Sequence, residues 1–94
     1  MSFLKKLLIL IYAVKGFVKY KSKNYEGAIE DYNKALDLDP NYTEAYYNRG
    51  LAKDELQDYE GAIEDYNKAL DLDPNDTYAY NNRELALQKL NEQN

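Results

Sequence analysis

The sequence predicts an all-α fold of stacked helical hairpins, for three reasons. Residues 25–41 read YEGAIEDYNKALDLDPN and recur unchanged at 59–75, an offset of 34 residues. A fixed period of this size is the signature of repeat architectures, in which each unit buries its apolar face against the next. Within each unit the apolar residues have helical spacing, and each copy has a proline next to its last residue. We therefore expect about five helices: two full repeats and a C-terminal capping helix.

The repeated segment predicts the second and fourth helices. Asn24 and Asp58 stand where a helix N-cap belongs, just before the apolar residues begin. Pro40 and Pro74 stop the two helices, and Leu38 is expected to lie past the end of the second. Each helix carries one apolar stripe. The two stripes are Ala28, Ile29, Tyr32, Ala35 and Leu36, and Ala62, Ile63, Tyr66, Ala69 and Leu70.

Three further helical stretches precede or follow these segments, at roughly residues 3–22, 43–56 and 77–91. Short turns join them, so neighbouring helices are expected to be antiparallel. The chain of 94 residues then forms a single domain. Its parts are an N-terminal extension of the first helix (1–8), a first repeat (9–42), a second repeat (43–76) and a capping helix (77–94).

The 34-residue unit resembles the tetratricopeptide repeat, whose pattern sets an aromatic residue, a glycine, an A-x3-F pair and a proline at fixed spacing. In the second repeat these places hold Tyr46, Gly50, Ala62, Tyr66 and Pro74. The first repeat supplies Tyr12, Gly16, Ala28, Tyr32, Ala35 and Pro40. The resemblance covers residues 9–91 and implies an all-α solenoid of the tetratricopeptide type. Gly50 and Ala62 are then small where the two helices of a hairpin cross closely.

Charged residues interrupt the family pattern in its first helices. Cations replace the pattern's leucine and tyrosine at Lys15, Lys19, Arg49, Lys53 and Arg83. We expect their aliphatic stems to lie along the core while the charges reach water. In the second helices, acids and lysines three or four residues apart are expected to solvate the outer faces. These are Glu30, Asp31 and Lys34, with Glu64, Asp65 and Lys68 in the next copy.

The composition argues against catalysis and against a metal or cofactor site. The chain has no Cys and no His, which removes thiol chemistry, imidazole metal ligands and the usual general base near neutral pH. Asp37-Leu-Asp39-Pro-Asn41 and its copy begin like a calcium loop, but Gly and Glu are missing at the sixth and twelfth places. We read these segments as turns. The predicted protein is not an enzyme and has no cofactor.

Charge divides the chain into two parts. Residues 1–24 hold six lysines and no acid, whereas residues 25–94 hold the other six cations and all 17 acids. An acidic chain of net charge −5 does not favour nucleic-acid binding.

The basic start is not expected to be a cleaved signal, because its apolar run at 7–14 is followed by lysines and lacks a small-residue cleavage site. The first helix also carries more apolar surface than one hairpin can bury.

The family resemblance implies a concave groove lined by the first helix of each repeat. A subset of the family clamps C-terminal carboxylates with Lys, Arg and Asn. Only Asn48 matches that set here, since Ala13, Phe17, Tyr78 and Asn82 take the other places, so we expect no carboxylate clamp. The candidate partner-binding residues are Leu7, Leu10, Ala13, Val14, Phe17, Tyr20, Glu44, Tyr47, Asn48, Leu51, Asp54, Asn81 and Asn82.

Three kinds of partner are open for this surface. Self-association through the apolar first helix and the groove would make the chain a homo-oligomeric scaffold. Alternatively, the groove binds an apolar peptide of another protein, or the basic, apolar helix attaches to a membrane surface. The near-verbatim repeat indicates a recent duplication or laboratory construction, of which we favour construction. A natural protein of this kind is expected in the cytoplasm.

Overall fold

The computed structural model describes residues 1–93, which form five α-helices. They are α1 (Phe3–Lys21), α2 (Tyr25–Leu38), α3 (Thr43–Glu55), α4 (Tyr59–Leu72) and α5 (Thr77–Gln93). Each helix packs against its neighbours in sequence, so α1 and α2 make one hairpin, α3 and α4 a second, and α5 covers the open side of α4. The tetratricopeptide-type solenoid predicted from the repeat is therefore confirmed.

The helix ends follow the local signals in the sequence. The carboxamide of Asn24 and the carboxylate of Asp58 each accept a hydrogen bond from the backbone N–H three residues later, at 3.0 Å. This bond satisfies one of the free N–H groups at a helix start. Both caps were predicted. The placement of Leu38 was wrong, because it is the last residue of α2 and Asp39 forms the C-cap.

The turns inside the two hairpins have the same backbone form. Lys23 and Gln57 hold the left-handed conformation, with φ of 65° and 63°. The next backbone N–H, of Asn24 or Asp58, donates to a carbonyl of the last helical turn, five residues back. This closes the helix end in the way that a glycine usually does, although neither position holds glycine.

The turns after α2 and α4 are built by the acidic segments around each proline. The carboxylates of Asp39 and Asp73 accept hydrogen bonds from the backbone N–H of Asn41 and Asn75, at 3.1 and 3.2 Å. An aspartate that binds its own backbone two residues on is a common turn device. The segments that begin like calcium loops thus act as turns.

Two tyrosines fill the hairpins where glycines leave room. Tyr32 and Tyr66 are fully buried. A Cβ on Gly16 would lie 2.8 Å from the ring of Tyr32, and one on Gly50 would lie 2.7 Å from the ring of Tyr66. The close approach expected at Gly50 is confirmed, with Tyr66 as the neighbour.

The core is divided between the two junctions of the stack. One buried cluster joins α2 and α3, and another joins α4 and α5. The first contains Ala28, Tyr32, Leu36, Ala45 and Ala52, and the second Ala62, Tyr66 and Ala86. Among residues 1–93, no helix has both the length and the apolar character needed to cross a membrane.

Candidate partner-binding surface

The exposed side of α1 is a continuous apolar band, which we call the α1 stripe. On a helical wheel its side chains span about 140°, opposite the face that packs on α2. Leu10, Val14 and Phe17 are 56%, 52% and 50% exposed. The excess apolar surface predicted for this helix is thus present and faces solvent. The stripe consists of Phe3, Leu4, Leu7, Leu10, Ile11, Val14, Phe17 and Val18.

Lysines border the stripe rather than interrupting its centre. Lys6 and Lys15 are exposed at its two edges and Lys21 follows its C-terminal end; the ammonium groups of Lys15 and Lys21 lie 5.6 Å from the ring centres of Tyr12 and Phe17. Lys19 turns the other way and pairs with Asp31 of α2, at 2.8 Å. The helix therefore has a charged inner edge and an apolar outer face.

The groove between α1, α3 and α5 is more polar than the α1 stripe. Asn82 donates a hydrogen bond to the hydroxyl of Tyr47 at 2.9 Å. Asp54 accepts one from the hydroxyl of Tyr66 at 3.1 Å and lies 3.6 Å from the ammonium of Lys89. These bonds join α3, α4 and α5 across the groove floor. A cleft of about 300 Å³ opens there, lined by Leu51, Asp54, Glu55, Gln57, Tyr59, Asn82 and Lys89.

Burial at the groove floor shifts the pKa values of two tyrosine hydroxyls. Burial raises the pKa of Tyr20, and the negative charges of Glu55 and Asp54 add to the effect. Burial also raises the pKa of Tyr66, with Asp54 as the next cause. Both directions show that neutral tyrosines face carboxylates here. The first and second repeats thus meet in an acidic, aromatic region.

The predicted site residues fall into two groups in the structure. Leu7, Leu10, Val14 and Phe17 belong to the exposed stripe. The others lie along the groove, where Glu44 and Asn81 are exposed and the rest are half-buried: Ala13, Tyr20, Tyr47, Asn48, Leu51, Asp54 and Asn82. Of this second group, Tyr47, Asp54 and Asn82 are already bonded within the chain.

Three of the replaced positions, Lys19, Arg49 and Lys53, pair with buried carboxylates, contrary to the expectation that their charges reach water, whereas Lys15 is exposed as expected. Arg49 donates two hydrogen bonds to Asp65, at 2.9 and 2.6 Å, and Lys53 approaches the same carboxylate at 3.1 Å. Asp31 and Asp65 are almost fully buried, so the prediction that they solvate an outer face was also wrong. A buried carboxylate requires such partners, because an unpaired charge is very costly away from water.

Phe3, Leu4, Ile11 and Val18 belong to the stripe but were not among the predicted partner-binding residues. The residues 34 places after Ile11 and Val18, which are Ala45 and Ala52, are buried between the hairpins. That offset could have identified Ile11 and Val18, because the repeat assigns the same face of the first helix to both pairs.

Comparisons with known proteins agree with this architecture. A family profile described as TPR repeat matches residues 16–53, and one described as tetratricopeptide repeat matches residues 43–76. The comparison with curated proteins gave no match.

Several solved structures share the fold over most of the chain. The TPR domain of Arabidopsis OM64 has 28% identity and a TM-score of 0.90, covering 94% of this chain and 73% of its own. The first TPR of Spaghetti (RPAP3), bound to the HSP90 peptide SRMEEVD, has 33% identity and a TM-score of 0.85, with coverages of 87% and 67%. The TPR2B domain of yeast Sti1, in a complex with pHsp70, has 26% identity and a TM-score of 0.87, with coverages of 92% and 69%.

Proposed function

The chain belongs to the tetratricopeptide repeat family, and we propose that it is a non-catalytic assembly module that associates with a second copy of itself through the α1 stripe. The family and its peptide-binding neighbours support protein–protein interaction as the general role. The observation that carries the finer proposal is the exposure of eight apolar side chains along one helix. The verbatim repeat supports recent duplication or laboratory construction of the unit.

The stripe needs a partner for a physical reason. A solenoid helix on which nothing stacks usually presents a polar outer face. A continuous exposed apolar patch on a small protein therefore marks an interaction site. At α1 the apolar band is wider than the roughly 100° stripe of an ordinary surface helix, and the face toward α2 lies on its opposite side. Folding alone leaves this band uncovered.

Light scattering coupled to size exclusion tests the proposal at micromolar concentration. We expect a mass above the 11.0 kDa of one chain. Changing Leu10, Val14 and Phe17 together to Gln should return the protein to the monomer, because each side chain is about half exposed and contributes to the contact. A matched control is Leu85→Gln on α5, where leucine is 51% exposed but lies away from the stripe. A monomeric unmodified chain contradicts self-association.

Peptide binding in the groove is the alternative that a specific observation favours. Leu10, Val14 and Phe17 continue from the stripe toward the groove, and two structural neighbours are described with chaperone peptides or partners. The groove of this chain presents Glu44, Glu55 and a paired Asp54, so it suits an apolar or basic peptide and repels an acidic one.

Fluorescence anisotropy with labelled SRMEEVD checks this preference. We expect no binding, because only Asn48 matches the carboxylate-clamp residues and acidic side chains line the path. A version of the peptide with Gln in place of both glutamates and an amidated C-terminus is the control for charge. Tight binding of the acidic peptide would show that the groove is a carboxylate clamp after all.

A further inference from the structure

The outer face of α1 corresponds to a helix-packing face elsewhere in the chain. In α3 this face packs on α2, and in α5 it packs on α4. Alanines form it in both places, and all four are buried at 2% exposure or less: Ala45, Ala52, Ala79 and Ala86. The equivalent positions of α1 hold Ile11 and Val18, which are 42% and 56% exposed. The repeat thus predicts that a helix covers this face.

The covering helix is not the second helix of another repeat at the usual spacing. Within residues 1–93, alanine at both positions lets the next helix approach closely. Ile11 and Val18 are larger and branched at Cβ, so they hold a neighbouring helix farther away. The distance between packed helix axes depends on the side chains at the contact. A helix with its own large apolar residues is the better match, and α1 itself has them.

The opposite end of the stack cannot supply that helix. Where α1 and α3 have glycine, α5 has Glu84, and its outer surface also carries Gln88, Asn91 and Glu92 around Leu87. Head-to-tail stacking would press the α1 stripe against these polar groups and leave them without water. An isologous contact, in which the same face meets itself, avoids this mismatch and closes the assembly as a dimer.

The positions of the lysines favour an antiparallel arrangement of the two α1 helices. Lys15, Lys21 and Lys23 are exposed and lie in or just after the second half of α1, whereas Lys5 and Lys6 lie near its start. A parallel pair would place the three lysines of one copy beside those of the other. In an antiparallel pair centred on residue 11, Lys21 of each copy lies about 30 Å along the axis from the same residue of its partner, from the rise per residue. This exceeds the screening length of about 8–10 Å at ordinary salt. The helix dipoles also favour the antiparallel arrangement.

We infer that two copies pair through the α1 stripe as an antiparallel dimer with two-fold symmetry. Ile11 of each copy lies beside the symmetry axis, and Leu4 of one copy faces Val18 of the other. The bodies of the two copies lie on the outside, because α2 contacts the opposite face of α1. This inference rests on the proposed self-association and adds the partner surface, its direction and its register.

Disulfide trapping tests the register directly, because the chain has no native cysteine. Under mild oxidation we expect Ile11→Cys to form a covalent dimer with itself. Leu4→Cys should not, because the two Leu4 positions are about 21 Å apart along the helices, and a disulfide needs Cα atoms within about 7 Å. A mixture of Leu4→Cys and Val18→Cys should form the mixed dimer, measured by non-reducing gel and mass spectrometry.

The matched control is Gln88→Cys on the outer surface of α5, which should stay uncrosslinked alone and when mixed with Ile11→Cys. Crosslinking of Leu4→Cys to itself would show a parallel pair, and crosslinking of Ile11→Cys to Gln88→Cys would show head-to-tail stacking. If the unmodified chain is a dimer, either result overturns the antiparallel two-fold geometry but not the proposed self-association. A monomer in light scattering overturns the proposed function too, as does a monomer that sediments with anionic phosphatidylserine vesicles.

Discussion

The two buried tyrosines offer a comparison within a single chain. Tyr66 donates its hydroxyl proton to Asp54 at 3.1 Å, whereas the hydroxyl of Tyr32 is buried and has no hydrogen-bond partner in the structure. The two residues occupy the same repeat position over Gly50 and Gly16. The difference arises because Tyr20 stands in the first repeat where Asp54 stands in the second. Removal of each hydroxyl should therefore have opposite effects on stability.

The expected changes in the free energy of unfolding follow from the hydrogen bond that each hydroxyl makes or lacks. Tyr66→Phe removes a hydrogen bond to a charged acceptor, worth about 1.5–3 kcal/mol. Because Asp54 keeps the ammonium of Lys89 at 3.6 Å, we take the lower end, a loss of about 1.5 kcal/mol. Tyr32→Phe removes a buried hydroxyl without a partner, whose burial costs about 1–3 kcal/mol, so we expect a gain of about 1 kcal/mol. The two variants should differ by roughly 2.5 kcal/mol.

Urea unfolding followed by circular dichroism at 222 nm measures both variants. Protein concentration is held fixed, because any dimer makes the apparent stability depend on it. In a domain of this size, 2.5 kcal/mol corresponds to a midpoint difference of about 10 °C or more in thermal unfolding. Ring packing is common to both changes and cancels in the comparison. Equal losses for the two variants, or a larger loss for Tyr32→Phe, would refute the assignment of the partnerless hydroxyl.

Three further changes test other parts of the structure. Gly50→Ala should destabilise by about 1–3 kcal/mol, since its Cβ would lie 2.7 Å from the ring of Tyr66, and Gln88→Ala on the surface is the control in urea unfolding. Gln57→Gly should stabilise by about 1 kcal/mol because φ is 63° there, and an unchanged midpoint would contradict this. Alkaline titration followed at 295 nm tests Tyr32, because burial raises its pKa from 10.0 to about 12. The unfolded chain loses this proton at a lower pH than the folded chain, so the difference leaves stability unchanged below pH 10 and reduces it as pH rises toward 12. Ionisation of all 11 tyrosines near pH 10 without unfolding would contradict this.

Local signals were sufficient for the helices and their ends. Asn24 and Asp58 cap the helices where the sequence placed them, and Pro40 and Pro74 lie in the turns that follow. Helix caps and stops depend on a few adjacent residues, so they can be predicted from a single sequence. Helix extent was less certain at Leu38, because no single residue before the proline marks the last turn.

The buried ion pairs required tertiary information. Asp65 looks like a surface acid next to Glu64 and Lys68, and only the distant Arg49 and Lys53 show its role. A signal was present nonetheless. Asp65 lies three residues after Ala62, within the apolar stripe, and two cations replace apolar family residues in the same repeat. Compensating departures of opposite charge in one hairpin indicate a buried pair.

The differences between the two repeats coincide with the proposed contact surface, whereas the similarities lie inside the hairpins. Residues that α1 shares with α3 mainly serve the hairpin interior, such as Gly16 against Tyr32 and Lys19 against Asp31. The second helices, which carry the tyrosine and the aspartate, are identical in the two copies. Positions that face the groove or the end of the stack have diverged, as Ile11 and Val18 have from alanine. Packing within a hairpin therefore constrains one set of residues and leaves the outer face of α1 free to differ from that of α3.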